Sequence, residues 1–366
     1  MNTVLRFFLA TVFIVSGLVK AVDVVGFSFK LEEYFSPSVF NLPFLENYSL
    51  PLSVFVVLTE TFLGLMLLFG RNIHFTLKAL IVLCIFFGFL TFYSAYYDKV
   101  TDCGCFGDAI KLTPWQSFYK NVILLLFLII LHKAYNEKKD NKESKGLSRF
   151  LFYLMSFASI VIMLYGLITE PIIDFRDYKI GTDLVKEKQK LSENPSRYKV
   201  FYTLKNSETK KEITIDQDEY IKKEVYWKEN SPWKILDDKT EVRLTKKGHT
   251  SEISKFIIED KEGQNITLEV LSAPRAVLVF TYNPKSADKK ILLATEKKLA
   301  TLKNTYVLGV APFPNTFRKI KQGNMDATSI KTIARSNPFI LVLKKGKIMD
   351  KQPGKIYINT EKRTSK

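Results

Sequence analysis

The chain reads as an all-α membrane helical bundle, four helices plus a fifth span, followed by an exported domain of α/β or α+β type. Three observations predict this class. Five apolar stretches are each long enough to cross a bilayer core of about 30 Å, which takes roughly 20 residues as a helix. Beyond Ile168 the pattern changes to short β-rich runs separated by polar turns. The closely spaced cysteines, Cys103-Gly104-Cys105, lie in a short polar loop between two of the apolar stretches.

The spans fall at 4–22, 50–69, 73–97, 115–131 and 150–168. The last carries no charge, the second carries one carboxylate, Glu60, and the others keep their Lys and Arg mostly toward an end. A cleavable secretory signal competes for the first stretch, because Arg6 precedes an apolar run and small residues follow. Lys20 and Asp23 fall where the cleavage site would sit and no A-x-A pattern appears, so a retained span is the better reading.

Basic residues in short loops resist translocation and set orientation. With a cytoplasmic N-terminus, 9 basic residues face inward: Arg6, Arg71, Lys78, Lys133, Lys138, Lys139, Lys142, Lys145 and Arg149. Only 4 face outward, Lys20, Lys30, Lys99 and Lys111. The predicted location is therefore the cytoplasmic (inner) membrane, with the Cys-Gly-Cys loop and everything after Ile168 on the non-cytoplasmic, periplasmic side. There a disulfide can persist. The chain carries a net charge of +17, of which 176–366 supplies +16, from 40 Lys and Arg against 24 Asp and Glu. A solvated, lysine-rich surface accounts for that excess. No finger, P-loop or recognition-helix signature accompanies it, so nucleic acid is not an expected partner and the lipid bilayer is.

In the exported half, 176–198 is charged and reads as a linker, and strands are expected at 199–204, 212–215, 233–236 and 255–259. From 276 the order is a buried-type strand at 276–282, a helix at 286–303 and a strand at 305–310. Weak helices at 315–321 and 328–335 follow, then strands at 339–344 and 347–350 joined by Lys345-Gly346. Strand, helix, strand implies a parallel pair. This order resembles a thioredoxin fold, with Val277-Leu-Val-Phe280 as the strand before the first helix and Pro338 in the place of the family's cis-proline. The resemblance implies a cis bond at Pro338. It also implies architecture without thioredoxin chemistry, because the Cys-x-x-Cys place holds Thr281-Tyr-Asn-Pro-Lys-Ser286, and the polar tail from Thr360 stands against the family's final helix.

The candidate catalytic residues are Cys103 and Cys105. Attack on a disulfide needs a thiolate, access and a neighbouring sulfur. A bridge across one intervening residue departs from ordinary disulfide geometry, which suits a relay better than a staple. Thr113 with Gln116 fits a capping box with Pro114 at the first helical position, so a helix amide end is expected near the loop. That end and Lys111 favour thiolate, whereas Asp102 and Asp108 oppose it. The competing reading is a fixed bridge or a pair of unused thiols. Two cysteines with no nearby histidine do not complete a metal site, and none is expected.

Glu60 lies deep in a span, where a charge is costly and faces a bundle interior or a polar cavity. Its expected partner is Lys20 or Lys78, and Glu60 with Lys20 forms either a structural ion pair or part of a quinone or proton site. Cys84, among Leu83, Ile85, Phe86 and Phe87, reads as a packing residue. His74, His132 and His249 show no metal-type spacing.

The first 135 residues resemble the MauE/DoxX group of small four-helix membrane proteins. The residues that carry this are Ser16-Gly-Leu-Val-Lys20-Ala-Val-Asp23, Glu60-Thr-Phe-Leu-Gly64 and, most specifically, Asp102-Cys-Gly-Cys-Phe-Gly107 followed by Leu112-Thr-Pro-Trp-Gln116. Members with a fifth span and a thioredoxin-like domain are similar throughout. The division implied is a membrane domain at 1–135, a basic cytoplasmic linker at 136–149, a fifth helix at 150–169, a linker at 170–198 and a soluble domain at 199–366, thioredoxin-like from about 255. The resemblance implies thiol–disulfide exchange or electron relay through Cys103 and Cys105, supporting the maturation or redox state of an exported thiol partner. Its DoxX side implies quinone-linked oxidation. A non-catalytic anchor or assembly factor that displays a binding domain is the alternative from a different class.

Overall fold

The computed structural model describes residues 2–100, 104, 106–136 and 146–360. The N-terminal part is helical throughout: α1 (Asn2–Val22), α2 (Val24–Phe35), α3 (Pro43–Glu46), α4 (Ser49–Phe69), α5 (Ile73–Tyr97), α6 (Pro114–Asn136) and α7 (Leu147–Ile168). Among the described residues, α1, α4, α5, α6 and α7 are long and apolar enough to cross a membrane, at the places the sequence predicts. The chain is a multi-pass membrane protein in contact with the lipid bilayer. Its exterior is accordingly apolar, with Phe55, Phe75, Val82, Phe89 and Phe157 all exposed.

Small residues bring the helices close, as expected where burial from water no longer drives association. A Cβ on Gly17 of α1 would lie 2.3 Å from Thr61 Oγ1 of α4, and one on Gly64 would lie 3.0 Å from Ile14. Gly166 does the same for α7, whose missing Cβ would meet the Val22 carbonyl at 2.7 Å. Leu9, Phe13, Leu67, Leu77, Leu80 and Leu128 fill one end of the bundle. The α4–α5 turn is made by two left-handed residues, Gly70 at φ 65 and Asn72 at φ 41.

Sequence reading missed α2. Asp23 stops α1 and caps α2, its carboxylate accepting from Gly26 N at 2.9 Å. One face of α2 buries Val24, Phe27, Leu31 and Tyr34, while Lys30, Glu32 and Glu33 stay on the other. A charged face on a 12-residue helix hid it from a search for spans.

Beyond α7 the chain forms parts of two compact units, one comprising 1–181 with 258–366 and the other 182–257. The second unit holds α8 (Leu184–Glu193), β1 (Arg197–Asn206), β2 (Glu212–Asp216), α9 (Gln217–Lys222), β3 (Trp233–Ile235) and β4 (Glu241–Lys246). Here β1 pairs antiparallel with β2 along one edge and with β3 and β4 along the other. The segment read as a linker at 176–198 contains α8, because the Asp183 carboxylate accepts from Val185 N and Lys186 N to cap it and Leu184 is buried. Nothing in the sequence reading anticipated β4, whose side chains are all exposed.

The first unit continues with α10 (Thr267–Ser272), β5 (Ala276–Phe280), α11 (Lys289–Ala300), β6 (Tyr306–Ala311), β7 (Gln322–Asn324), α12 (Ala327–Ile333), β8 (Phe339–Lys344), β9 (Lys347–Pro353) and α13 (Gly354–Asn359). The sheet order is β7-β6-β5-β8-β9. β5 and β6 are parallel with Val279 opposite Gly309, and β5 runs antiparallel to β8 with Phe280 opposite Phe339. All five residues of β5 are buried, as a strand covered on both faces must be. Leu292 and Leu299 of α11 and Tyr357 of α13 pack on one face against Val277, Val279, Ile340 and Val342.

Three local readings change. Residues 255–259 form no strand, since a short turn ends at Lys255 and Glu259 makes only single bridges to Asn265 and Asn324. Residues 315–321 form no helix, because side chains satisfy their amides: Glu296 Oε2 accepts from Arg318 N at 3.0 Å and Lys319 N at 2.8 Å, and Gln322 Oε1 from Thr316 N at 2.9 Å. The final helix, against which the polar tail argued, exists as α13, its last carbonyls met by Lys298 Nζ, 2.7 Å from Tyr357 O. The Asn337–Pro338 bond is cis, as the resemblance implies.

Candidate functional site

Cys103 and Cys105 lie outside the described residues, but the groups on either side of them define a site. Gly104 is buried at φ +63, and a Cβ on it would meet Lys30 Cγ of α2 at 3.0 Å. Gly107 N donates to Gly104 O at 3.0 Å, and a short turn runs over Gly107–Ala109. The capping box at α6 forms as the sequence predicts: Thr113 N donates to Gln116 Oε1 at 3.0 Å and Gln116 N to Thr113 Oγ1 at 3.3 Å. One turn and a half into α6, the Lys120 ammonium lies 4.8 Å from the centre of the Phe106 ring.

Across this end of the bundle lies Arg335, which follows α12 and stands three residues before the cis proline. Its Nε reaches Asp23 Oδ1 at 2.9 Å and Oδ2 at 2.8 Å, and its Nη2 reaches Asp108 Oδ2 at 2.9 Å. Its Nη1 donates to the Lys331 carbonyl. The guanidinium side chain is only 4% exposed. Burial pushes the Asp23 carboxyl up, but Arg335, with Arg176 behind it, outweighs that and holds it below its ordinary value.

The same junction pairs Lys331 of α12 with Glu32 of α2 at 2.7 Å and sets Tyr282 edge-on to Phe29, ring centres 5.3 Å apart. The Lys331 ammonium also lies 5.2 Å from the Phe29 ring centre. Burial, helped by Glu32, pushes the Tyr282 hydroxyl up to about 12. Beside it the Asn337 amide donates to Asn283 O at 2.7 Å and to Ser286 Oγ at 3.2 Å. The loop after β5 thus carries a polar knot.

The strand of chain leaving α7 is tied down as well. Arg176 is buried, bonding Glu170 Oε2 at 2.5 Å, Asp174 Oδ1 at 2.7 Å and the Ile333 carbonyl at 2.9 Å. Lys351 of β9 completes the cluster at 2.6 Å from Asp174 Oδ2. Burial pushes Asp174 up, yet Arg176 and Lys351 hold it well below the usual carboxylate range. Burial and the adjacent Arg176 push Lys351 down to about 8, against the pull of Asp174 and Glu170.

Inside the membrane, Glu60 Oε2 and Lys20 Nζ meet at 2.8 Å, at 4% and 2% exposure. Lys20 also bonds Ser16 Oγ at 2.7 Å and lies between the Phe27 and Phe87 rings, 5.7 and 5.6 Å from their centres. Of the two partners the sequence offers Glu60, the structure selects Lys20 rather than Lys78. The pair borders a cavity of about 20 Å³, room for one water molecule, which Lys120 and Asn121 also line. A groove of about 290 Å³ opens between α5 and α6, lined by Phe89, Phe92, Phe118 and Val122, and shares Cys84 and Asn121 with that cavity.

Sequence reasoning placed Glu60 with Lys20 and the α6 cap, and it missed Arg335, Lys331, Arg176, Lys351 and Asn121. The one signal for Arg335 was its position just before Ser336-Asn337-Pro338. His74 and His132, 58 positions apart in sequence, lie with ring centres 6.5 Å apart, and His249 Nε2 lies 2.9 Å from Glu187 Oε2. Among the described residues, no group of three or more metal-ligating side chains comes together.

Residues 1–134 match the family described as Methylamine utilisation protein MauE. No curated protein and no solved structure matches the chain.

Proposed function

We propose that this MauE-like membrane protein performs thiol–disulfide exchange through Cys103 and Cys105 at the non-cytoplasmic face of the inner membrane, with an exported protein as partner. The N-terminus then lies in the cytoplasm, and the Cys-Gly-Cys loop and the thioredoxin-like C-terminal domain share the opposite side. One observation carries this reading. Arg335, beside the cis proline, is bonded to Asp23 and to Asp108, three residues past Cys105, so the C-terminal domain docks at the end of the bundle that bears the thiol pair.

The C-terminal domain supplies no thiol of its own, so the sulfurs come from the bundle and the domain holds the partner. In the exchange, the Cys103 thiolate attacks one sulfur of a partner disulfide, forming a mixed disulfide and releasing the other sulfur as thiolate. Cys105 then attacks Cys103 Sγ, closing the Cys103–Cys105 bond and freeing the partner as a dithiol. Two electrons and two protons pass from the loop to the partner, and the reverse sequence oxidises it. The α6 amide end and Lys111 favour the thiolate.

The test is trapping in intact cells. Cys105→Ala is expected to accumulate mixed disulfides between Cys103 and exported proteins, resolved by reductant on a gel. If neither single-cysteine variant traps a partner, and the double variant keeps envelope protein oxidation normal, the exchange reading fails and the anchor or assembly role replaces it.

The α5–α6 groove favours a second reading, quinone-linked electron transfer. It is apolar, faces lipid and ends on one buried amide, Asn121, next to the Lys20–Glu60 pair, which fits a planar ring carrying oxygens. Bound there, a quinone supplies the two-electron, two-proton acceptor that would re-form the disulfide. Asn121 would hold the polar end, with the Lys20–Glu60 pair beyond it across the shared cavity, and Phe89, Phe92 and Phe118 would hold the ring. Extraction of the purified chain with organic solvent is expected to release near-stoichiometric quinone, and Asn121→Leu to abolish it; an extract without quinone overturns this reading.

A further inference from the structure

The end of the bundle that carries the α4–α5 turn gathers cations without carboxylates. Glu60 stands near the middle of α4, and Gly70 follows it by ten residues. At 1.5 Å per residue that is about 15 Å, half the thickness of a bilayer core, so the turn lies at headgroup depth. The Arg6 guanidinium rests on this turn: a Cβ on Gly70 would lie 2.9 Å from Arg6 Nη1, which donates to the Tyr135 hydroxyl at 3.3 Å. Arg6 Nε is buried without an acceptor. Arg71, the next residue of the turn, lies 4.6 Å from the Phe152 ring centre and 5.4 Å from that of Tyr153, both on α7. Those rings supply no ordinary acceptor for its five N–H donors, and among the described residues Arg71 makes no side-chain hydrogen bond or ion pair. Arg149, exposed one turn before Tyr153 on α7, adds a third cation.

The helices that meet here supply no counter-ion. α1, α5, α6 and α7 contain no Asp or Glu, and the single carboxylate of α4, Glu60, is bonded to Lys20. Asn72 places no side-chain cap on α5, so that helix also turns an uncapped amide end toward the site. The opposite end of the bundle is built the other way: Arg335 has Asp23 and Asp108, and Arg176 has Glu170 and Asp174. An unmatched guanidinium at the edge of hydrocarbon is costly, and the anions found at that depth are lipid phosphates. We infer that Arg6 and Arg71 form a headgroup site for one anionic phospholipid. Their N–H donors hold its phosphate, whose oxygens match the guanidinium fork, and the exposed rings of Phe150, Tyr153 and Phe157 on α7 flank its acyl chains. This site shares no residue with the α5–α6 groove and none with the junction around Arg335. Each basic side chain held near an anionic lipid surface contributes about a factor of five to binding.

The test takes the full-length chain, purified in dodecyl maltoside, and titrates it with phosphatidylglycerol labelled with a fluorophore at the end of one tail, read by anisotropy. Saturable binding is expected, about five- to twenty-five-fold tighter than for phosphatidylcholine with the same tails and label. Arg6→Gln and Arg71→Gln are each expected to weaken phosphatidylglycerol binding about fivefold, and together about twenty-five-fold. Arg6→Lys with Arg71→Lys keeps both charges and provides the folded reference, expected within about threefold of the parent. Lys99→Gln, which removes an exposed cation just past the other end of α5, is expected to change nothing. The inference is overturned if phosphatidylcholine binds as tightly, if the double Gln variant binds like the parent, or if the double Lys variant is as weak as the double Gln variant. Equal weakening by Lys99→Gln marks general surface charge and overturns it too. Displacement of the labelled lipid by inorganic phosphate or glycerophosphate makes a free phosphate the ligand and overturns the assignment to lipid. Glu137, Asp140 and Glu143, the next carboxylates along the chain after α6, lie outside the described residues. Tight binding that appears only in the combined Glu137→Gln, Asp140→Asn and Glu143→Gln variant identifies them as the counter-ions and overturns the inference.

Discussion

Replacing Glu60 by Leu is the perturbation whose cost the structure sets most directly. Lys20 is 2% exposed, and its ammonium has two close acceptors, Glu60 Oε2 at 2.8 Å and Ser16 Oγ at 2.7 Å, with the Ser16 carbonyl at 3.5 Å. Removing Glu60 leaves a cation in a low-dielectric interior with a hydroxyl and two aromatic faces for company, and breaking a buried pair in this way costs about 3–5 kcal/mol. Glu60→Gln keeps an acceptor and loses only the charge, so about 1.5–3 kcal/mol is expected. Lys20→Met with Glu60→Leu removes both charges and is expected to recover most of the loss, since replacing a whole buried pair with apolar residues is often neutral or stabilising. Thermal and denaturant unfolding of the purified chain in detergent, followed by tryptophan fluorescence, reads these differences. If Glu60→Leu unfolds within about 0.5 kcal/mol of the parent, the size of an ordinary surface change, or if the double variant is no better than the single, the pair is not a buried ion pair and the argument from it is wrong.

Two further outcomes follow from the geometry. Gly17→Val places atoms where a Cβ alone would already lie 2.3 Å from Thr61 Oγ1, so α1 and α4 must separate at a cost of about 1–3 kcal/mol, while Gly88→Ala, with nothing within 4 Å, is expected to be neutral in the same unfolding assay. Lys351 binds its proton less tightly in the folded chain, at about 8, than at its ordinary 10.5, so the unfolded chain holds more protons between these values and stability rises with pH across that interval. Subtracting the pH profile of Lys351→Met from that of the parent isolates this rise, and a flat difference between pH 7.5 and 10 contradicts the buried placement of Lys351.

The spans were legible because apolar length is a property of consecutive residues, and the same holds for the Thr113–Gln116 cap and for β5, β8 and β9. Glu60 with Lys20 was legible for a related reason: an isolated charge in a span demands a partner, and few cations lie at the right depth. The second helix was not legible, since its buried face is only 12 residues long and its charged face reads as loop. The non-helical segment at 315–321 escaped because its amides are satisfied by Glu296 and Gln322, which lie outside the segment.

The order of residues by itself determined that this is a multi-pass membrane protein with a strand-rich C-terminal region, and that two cysteines occupy one short loop between spans. Only the tertiary structure decided what faces that loop. Arg335 and Asp23 are 312 positions apart, Arg335 and Asp108 are 227 apart, and Lys331 and Glu32 are 299 apart. Secondary structure is written in short-range periodicity, whereas a salt bridge depends on where two distant surfaces come to rest, and that is set by the packing of every element between them.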